Sequence, residues 1–186
     1  RDAVEALAAE ADIPFDRIFV YDGSRQSNNF TANVAGVGDT ARIAISDVAL
    51  GEASLDEVRA VTGHEIGHYV LGHVWVGVGT FSLLPVLFFF IAARVFPWFA
   101  AKFGADTDIA RVSSLPVLLF VVTVLSTLAE PITNTVSRMD ENAADQYSLE
   151  TVGLPDALAS ALVKTAEYRN PRPGRLEEIF FHSHPS

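Results

Sequence analysis

Three residues in the stretch Thr62-Gly63-His64-Glu65-Ile66-Gly67-His68-Tyr69 have the types and the spacing to do chemistry together. On an α-helix, side chains four residues apart lie one above the other on one face, so His64 and His68 can aim both imidazoles at one ion. Glu65 sits a third of a turn further round. It can reach a water beside that ion but is badly placed to bind the ion itself. Two imidazoles on a metal, with a carboxylate as general base on the water, is the arrangement of metal-assisted hydrolysis. The same pattern also arises by chance on helices whose His and Glu are solvated or satisfied in a core, and the rest of the chain decides between the two.

A catalytic zinc takes three protein ligands and keeps one position open. The chain has no cysteine, so disulfides and thiolate ligands are excluded and the third ligand is a His or a carboxylate. A third His ten residues after the first would fall on Val74. His73 is one residue off, at the edge of an apolar run, and reads as an interfacial side chain. Glu141 and Asp145 are spaced i, i+4 on a polar helical stretch. That spacing lets Glu141 bind an ion while Asp145 accepts a hydrogen bond from a ligating imidazole and fixes its tautomer. A solvated acidic face is the competing reading.

The 186 residues suit one ordinary domain, but 49% are hydrophobic, only 19% are charged, and the mean hydropathy is +0.27. A soluble domain carries about 25% charged residues, so this is a membrane composition. A formal net charge of -10 leaves no basic stripe for phosphates and excludes nucleic acid as a partner. Arg1 opens the chain without a targeting segment, which reads as a piece of a longer protein.

Several elements must position the candidate ligands. Asp2 to Ala11 is helical with Val4, Leu7 and Ala8 on one face, ended by Pro14. Arg17 to Tyr21 is a β-rich run that stops at Asp22-Gly23. Phe30–Ala35 and Ala41–Ser46 read as two strands joined through the Gly36-Val37-Gly38-Asp39-Thr40 hairpin connection, with Ile43 and Ile45 inward. Gly51 reads as a break, and Ser54-Leu55-Asp56-Glu57 as the capping box that starts the His-Glu-x-x-His helix. Gly63 and Gly67 weaken that helix by about 1 kcal/mol each relative to Ala, unless something must come close to it. Residues 74–93 and 112–129 are uncharged runs, each long enough to cross about 30 Å of hydrocarbon as a helix. Arg94, Trp98, Lys102, Asp106, Asp108 and Arg111 mark an interfacial connection between them. Pro85 and Pro116 fall inside the spans, where neighbours can satisfy the freed backbone groups. A polar helix holding Glu141 and Asp145 follows. Pro155 then opens a helix with Leu158, Leu162 and Val163 on its apolar face.

His64-Glu65-Ile66-Gly67-His68, a two-span hairpin, Arg138-x-x-Glu141-x-x-Ala144-Asp145 and finally Ser183-His184-Pro185 stand in one order. In this the chain resembles the type I CAAX prenyl proteases, from about Ser24 to its end. The resemblance implies an integral-membrane zinc endopeptidase with one Zn2+ per chain. By it His64, His68 and Glu141 are the metal ligands, Glu65 the base and Asp145 the residue behind a ligand. It also makes His184 the group that steadies the oxyanion. An Asn on a strand faces the site in this family. Asn33 and the Ser27-Asn28-Asn29 cluster compete for that place, and Asn33, directly before the turn, is favoured. Arg138 is a candidate substrate-binding residue.

The expected fold is a mainly α integral-membrane protein: a zincin-like core, a small antiparallel β-hairpin or sheet, and a transmembrane helical hairpin. The expected organisation is one peptidase domain over 1–186, with spans 74–99 and 112–136 inserted between the two ligand-bearing helices. Expected partners are the lipid bilayer and a membrane-associated or CAAX-type peptide, paired with an edge strand for which Ala41–Ser46 is the candidate. The Ala-rich chain reads as bacterial, from the inner membrane, and prenylated substrates are not expected there. Arg94, Lys102 and Arg111 favour a cytoplasmic connection by the positive-inside rule. The resemblance implies the opposite, a cytoplasmic catalytic side, and takes precedence because spans outside this stretch also count. Three other readings compete. A heat-shock-type membrane quality-control protease lacks the terminal His-Pro, a scaffold without activity would not need Glu65, and a metal transporter would bring its His and Glu residues into the apolar runs.

Overall fold

The computed structural model describes residues 2–26, 31–165, 170 and 172–185. The chain divides into two compact units, the first built mainly from residues up to Val74 and from Met139 onward to Arg172, the second from Trp75–Arg138 and Pro173–Pro185.

In the first unit, helix α1 (Asp2–Glu10) buries Val4, Leu7 and Ala8. Strands β1 (Ile18–Tyr21), β2 (Ala32–Ala35) and β3 (Arg42–Ser46) form one sheet in the order β1-β3-β2. β2 and β3 are antiparallel, with Val34 opposite Ile43, whereas β1 adds to the other side of β3 in parallel. The sheet is therefore mixed. β3 is its central strand, which corrects the expectation that Ala41–Ser46 is an edge open to a substrate; the edges are β1 and β2. Two inward residues, Ile43 and Ile45, join α1, Val58 and Ile66 in one apolar core.

Helix α2 (Asp47–Glu52) follows β3 directly, capped by Ser46 Oγ accepting from the Ala49 N–H at 3.1 Å. Gly51 lies inside this helix and does not break the chain. Helix α3 (Leu55–Val70) carries the His motif, and α6 (Pro155–Thr165) packs on it through Leu158 and Ala161. Val163, expected on the apolar face of α6, is 77% exposed.

The second unit holds most of two long helices, α4 (His73–Lys102) and α5 (Leu115–Val152), and the short α7 (Arg175–Phe181). Ala92, Phe96 and Ala100 of α4 pack with Val117 and Val121 of α5. Each helix has a stretch of mean hydropathy 2.2, yet only 6% and 17% of those stretches are buried. Phe81, Leu83 and Phe89 stand open. A soluble protein would bury such helices; these present their apolar side chains outward, as lipid-facing helices do. The protein is a mainly α integral-membrane protein. Trp98 beneath the Lys102 ammonium, at 5.9 Å, suits a headgroup boundary. Pro116, the second residue of α5, sits in the first turn, where its missing N–H has no partner to lose.

Candidate active site

The helix that carries the motif is anchored at its start. Ser54 Oγ accepts from the Glu57 N–H at 3.2 Å and the Glu57 carboxylate accepts from the Ser54 N–H at 2.7 Å. Glu57 is buried, and from α6 it also receives the Ser160 hydroxyl at 2.7 Å and the Lys164 ammonium at 2.8 Å. Lys164 foremost, with the two serines, holds its carboxyl down to about 2.

Further along, α3 meets α5 at backbone range. A Cβ on Gly67 would stand 3.1 Å from the Ala144 Cα, and one on Gly63 would stand 2.5 Å from Val152 Cγ2. The Ser148 hydroxyl, also from α5, donates to the Ala60 carbonyl at 2.7 Å. Gly63 and Gly67 thus serve helix–helix contact, facing Ala144, Ser148 and Val152, the same four-residue row on the partner helix.

This crossing brings His64, His68 and Glu141 together. His64 Nε2 is 3.1 Å from His68 Nε2 and 3.4 Å from Glu141 Oε2, and His68 Nε2 is 3.6 Å from Glu141 Oε1. A tetrahedral zinc with bonds of about 2.0–2.2 Å separates neighbouring donor atoms by about 3.3–3.6 Å. The two nitrogens stand slightly closer than that and each meets a different oxygen of Glu141; taken one atom per residue, the three donors lie within 4.8 Å of one another, near enough to close on one ion, and three ligands leave one corner for water or substrate. The set fits zinc in chemistry as well as in size, two imidazoles and a carboxylate.

Behind the triangle, the His64 Nδ1–H donates to Asp145 Oδ1 at 2.8 Å, which leaves Nε2 as the nitrogen that faces inward. Burial pushes the His64 imidazolium down, but the Asp145 and Glu141 carboxylates outweigh it and lift it to about 9. A metal ion entering the triangle has to displace that proton, so acid opposes it. His68 is pushed down, by burial first and then by the charge on His64. Glu65 is lifted to about 7, chiefly by burial, with Glu141 adding to the shift against His64 and the backbone N–H of Val34. A carboxylate so placed accepts a proton near neutrality. Among the described residues β2 is an end strand of the sheet, and it lies against the motif helix.

A model described as Peptidase family M48 matches residues 1–186, the whole chain. The chain belongs to peptidase family M48. It is 32% identical over 185 residues, 97% of its length, to the uncharacterized metalloprotease YhfN of Bacillus subtilis. It is 29% identical, over its full length, to CAAX prenyl protease 1 of Saccharomyces cerevisiae. The crystal structure of S. mikatae Ste24p superposes on all of it with a TM-score of 0.73 at 27% identity. This M48 chain spans a little under half the length of these relatives: 43%, 45% and 46%.

The M48 chain's other candidate residues lie as follows. Asn33 is exposed in β2 beside Val34; the competing Ser27-Asn28-Asn29 cluster lies outside the described residues. Arg138 belongs to the second unit, where its guanidinium donates to the carbonyls of Glu178 and His182 and to Thr135 Oγ1. Those donors hold the end of α7. His184 is in the same unit, its Nδ1 3.1 Å from Ser183 Oγ. One residue at the site escaped the sequence reading: His73, whose Nδ1 lies 2.8 Å from His68 Nδ1. It was assigned to the interface by its apolar neighbours. The spacing His68 to His73 crosses the α3–α4 break at Gly72, where φ is +70°, so helical periodicity cannot connect the two residues.

Proposed function

We propose that this chain forms the catalytic part of a membrane-embedded zinc metalloendopeptidase acting on membrane-associated or CAAX-type proteins and peptides. The observation that carries the proposal is the donor triangle of His64, His68 and Glu141, one ligand atom from each within 4.8 Å of the others, with a partly buried carboxylate on the residue after His64 in the same helix. These three residues would hold one zinc ion. When bound, zinc polarises the scissile carbonyl and acidifies water.

The chain's own residues do the rest. Glu65 takes the proton of the attacking water and delivers it to the departing amine nitrogen. Asp145 keeps the His64 proton on Nδ1 and so keeps the ring aimed. The free edge of β2 offers backbone groups to an extended peptide, with Asn33 on the same strand as a side-chain contact. The Ser183-His184-Pro185 motif supports His184 as the donor to the developing oxyanion. Arg138, which clamps the end of α7, is the further candidate for substrate contact. Residues 74–99, within α4, and 112–136, which run into α5, are the two spans, inserted into one peptidase domain. The two apolar helices support a membrane location, which for a bacterial chain is the inner membrane, and the resemblance to the CAAX proteases supports a cytoplasmic catalytic side.

The test uses the full-length protein purified in detergent. It should carry about one zinc per chain by metal analysis and cleave a membrane-anchored reporter peptide. A chelator should stop cleavage and added zinc restore it. Cleavage that survives complete metal removal would overturn the proposal.

A further inference from the structure

We propose that His73 is a positioning residue for the metal centre: the hydrogen-bond acceptor that fixes the tautomer and ring orientation of His68. This rests on the zinc reading of the triangle. His68 turns its Nε2 to the triangle, so its outward atom is Nδ1, and that atom stands 2.8 Å from His73 Nδ1. Two imidazole nitrogens at that distance share one proton. For His68 to ligate through Nε2 as a neutral ring, its proton sits on Nδ1 and is donated to His73. His73 then carries its own proton on Nε2, and that nitrogen lies 3.9 Å from Asp140 Oδ1. That is beyond hydrogen-bond range, so Asp140 stands near His73 as a charge and the hydrogen bond that matters is the one to His68. The rings of His68 and His73 meet edge to face, centroids 4.9 Å apart, so the contact is directional.

The two ligand histidines are thereby supported in different ways. His64 leans on a carboxylate on α5, and His68 leans on a neutral ring at the start of α4. His73 itself stays outside the donor triangle, because it meets the outer nitrogen of His68 and not the inner one.

Zinc affinity of the full-length protein, read by competition with a chromogenic chelator, tests this. His73→Ala should weaken binding about 10–100-fold, the usual loss for a residue behind a ligand. An Asn side chain places its amide group where the His Nδ1 was, so His73→Asn should recover most of the affinity. In cobalt-loaded protein, His73→Ala should alter the visible absorption of the metal and His73→Asn should restore it. Affinity within twofold of the parent in His73→Ala, or no recovery in His73→Asn, would overturn the assignment. His68→Ala separates the two levels: if that variant keeps its zinc, the metal centre itself has been misread.

Discussion

Gly67 of α3 faces Ala144 of α5 at a distance where a Cβ would stand 3.1 Å from the Ala144 Cα and 3.2 Å from its carbonyl oxygen. Both neighbours are backbone atoms of the helix that carries Glu141 and Asp145, so an added methyl would push that helix away by a few tenths of an ångström. A metal site tolerates about 0.2 Å in ligand distance. Gly67→Ala should therefore weaken zinc binding even though Ala gains about 1 kcal/mol of helix propensity. At Gly63 the methyl would stand 2.5 Å from Val152 Cγ2, a branched side chain that cannot swing clear, but Val152 lies two turns beyond Asp145 on α5, so Gly63→Ala should cost stability and spare the metal better. Chelator competition on the two variants checks the order, and equal affinities would contradict it.

Glu65→Gln should keep zinc and lose peptidase activity. The amide cannot accept a proton, and proton transfer typically contributes 10²–10⁴-fold. Metal content and turnover measured on the same purified sample decide it; near-normal turnover would sink the role.

Glu141→Ala removes a corner of the triangle and should strip most of the zinc. Asp145→Ala removes only the acceptor behind His64, so its affinity should fall about 10–100-fold. Undiminished zinc in Glu141→Ala would place the third ligand elsewhere.

The carboxyl of Glu57 sits at about 2, depressed by Lys164 and the serines around it, against an ordinary 4.5. A depressed carboxyl contributes stability that is present above its unfolded value and lost as pH falls toward the folded one. Wild type should therefore melt above Glu57→Gln at neutral pH, and the gap should close between pH about 4.5 and about 2. Parallel melting curves across that window would show that Glu57 contributes no such linkage.

Arg138 holds the last turn of α7 by two carbonyls, with Asn134 donating to a third, that of Phe180. Arg138→Ala should speed amide hydrogen exchange over 178–184 while leaving exchange in α3 unchanged. Unaltered exchange in that segment would show that the clamp is dispensable.

Much of this protein is determined by local pattern. Apolar runs of membrane length, the Ser54–Glu57 capping box and the His64-Glu65-x-x-His68 face of a helix are short-range features, because helical periodicity and capping act within a few residues. Family membership follows from motifs in order. What local pattern could not decide involves residues far apart in the chain. Which strand lies in the middle depends on β1 crossing over to pair in parallel with β3, and the hairpin beside them carries no trace of that pairing. Gly63 and Gly67 read equally as weak points or contact points until Ala144 and Val152 stand against them. His73 lies five residues from His68, but across a backbone turn with positive φ at Gly72. Only the fold brings its ring back to the ligand, because helical periodicity stops at that turn.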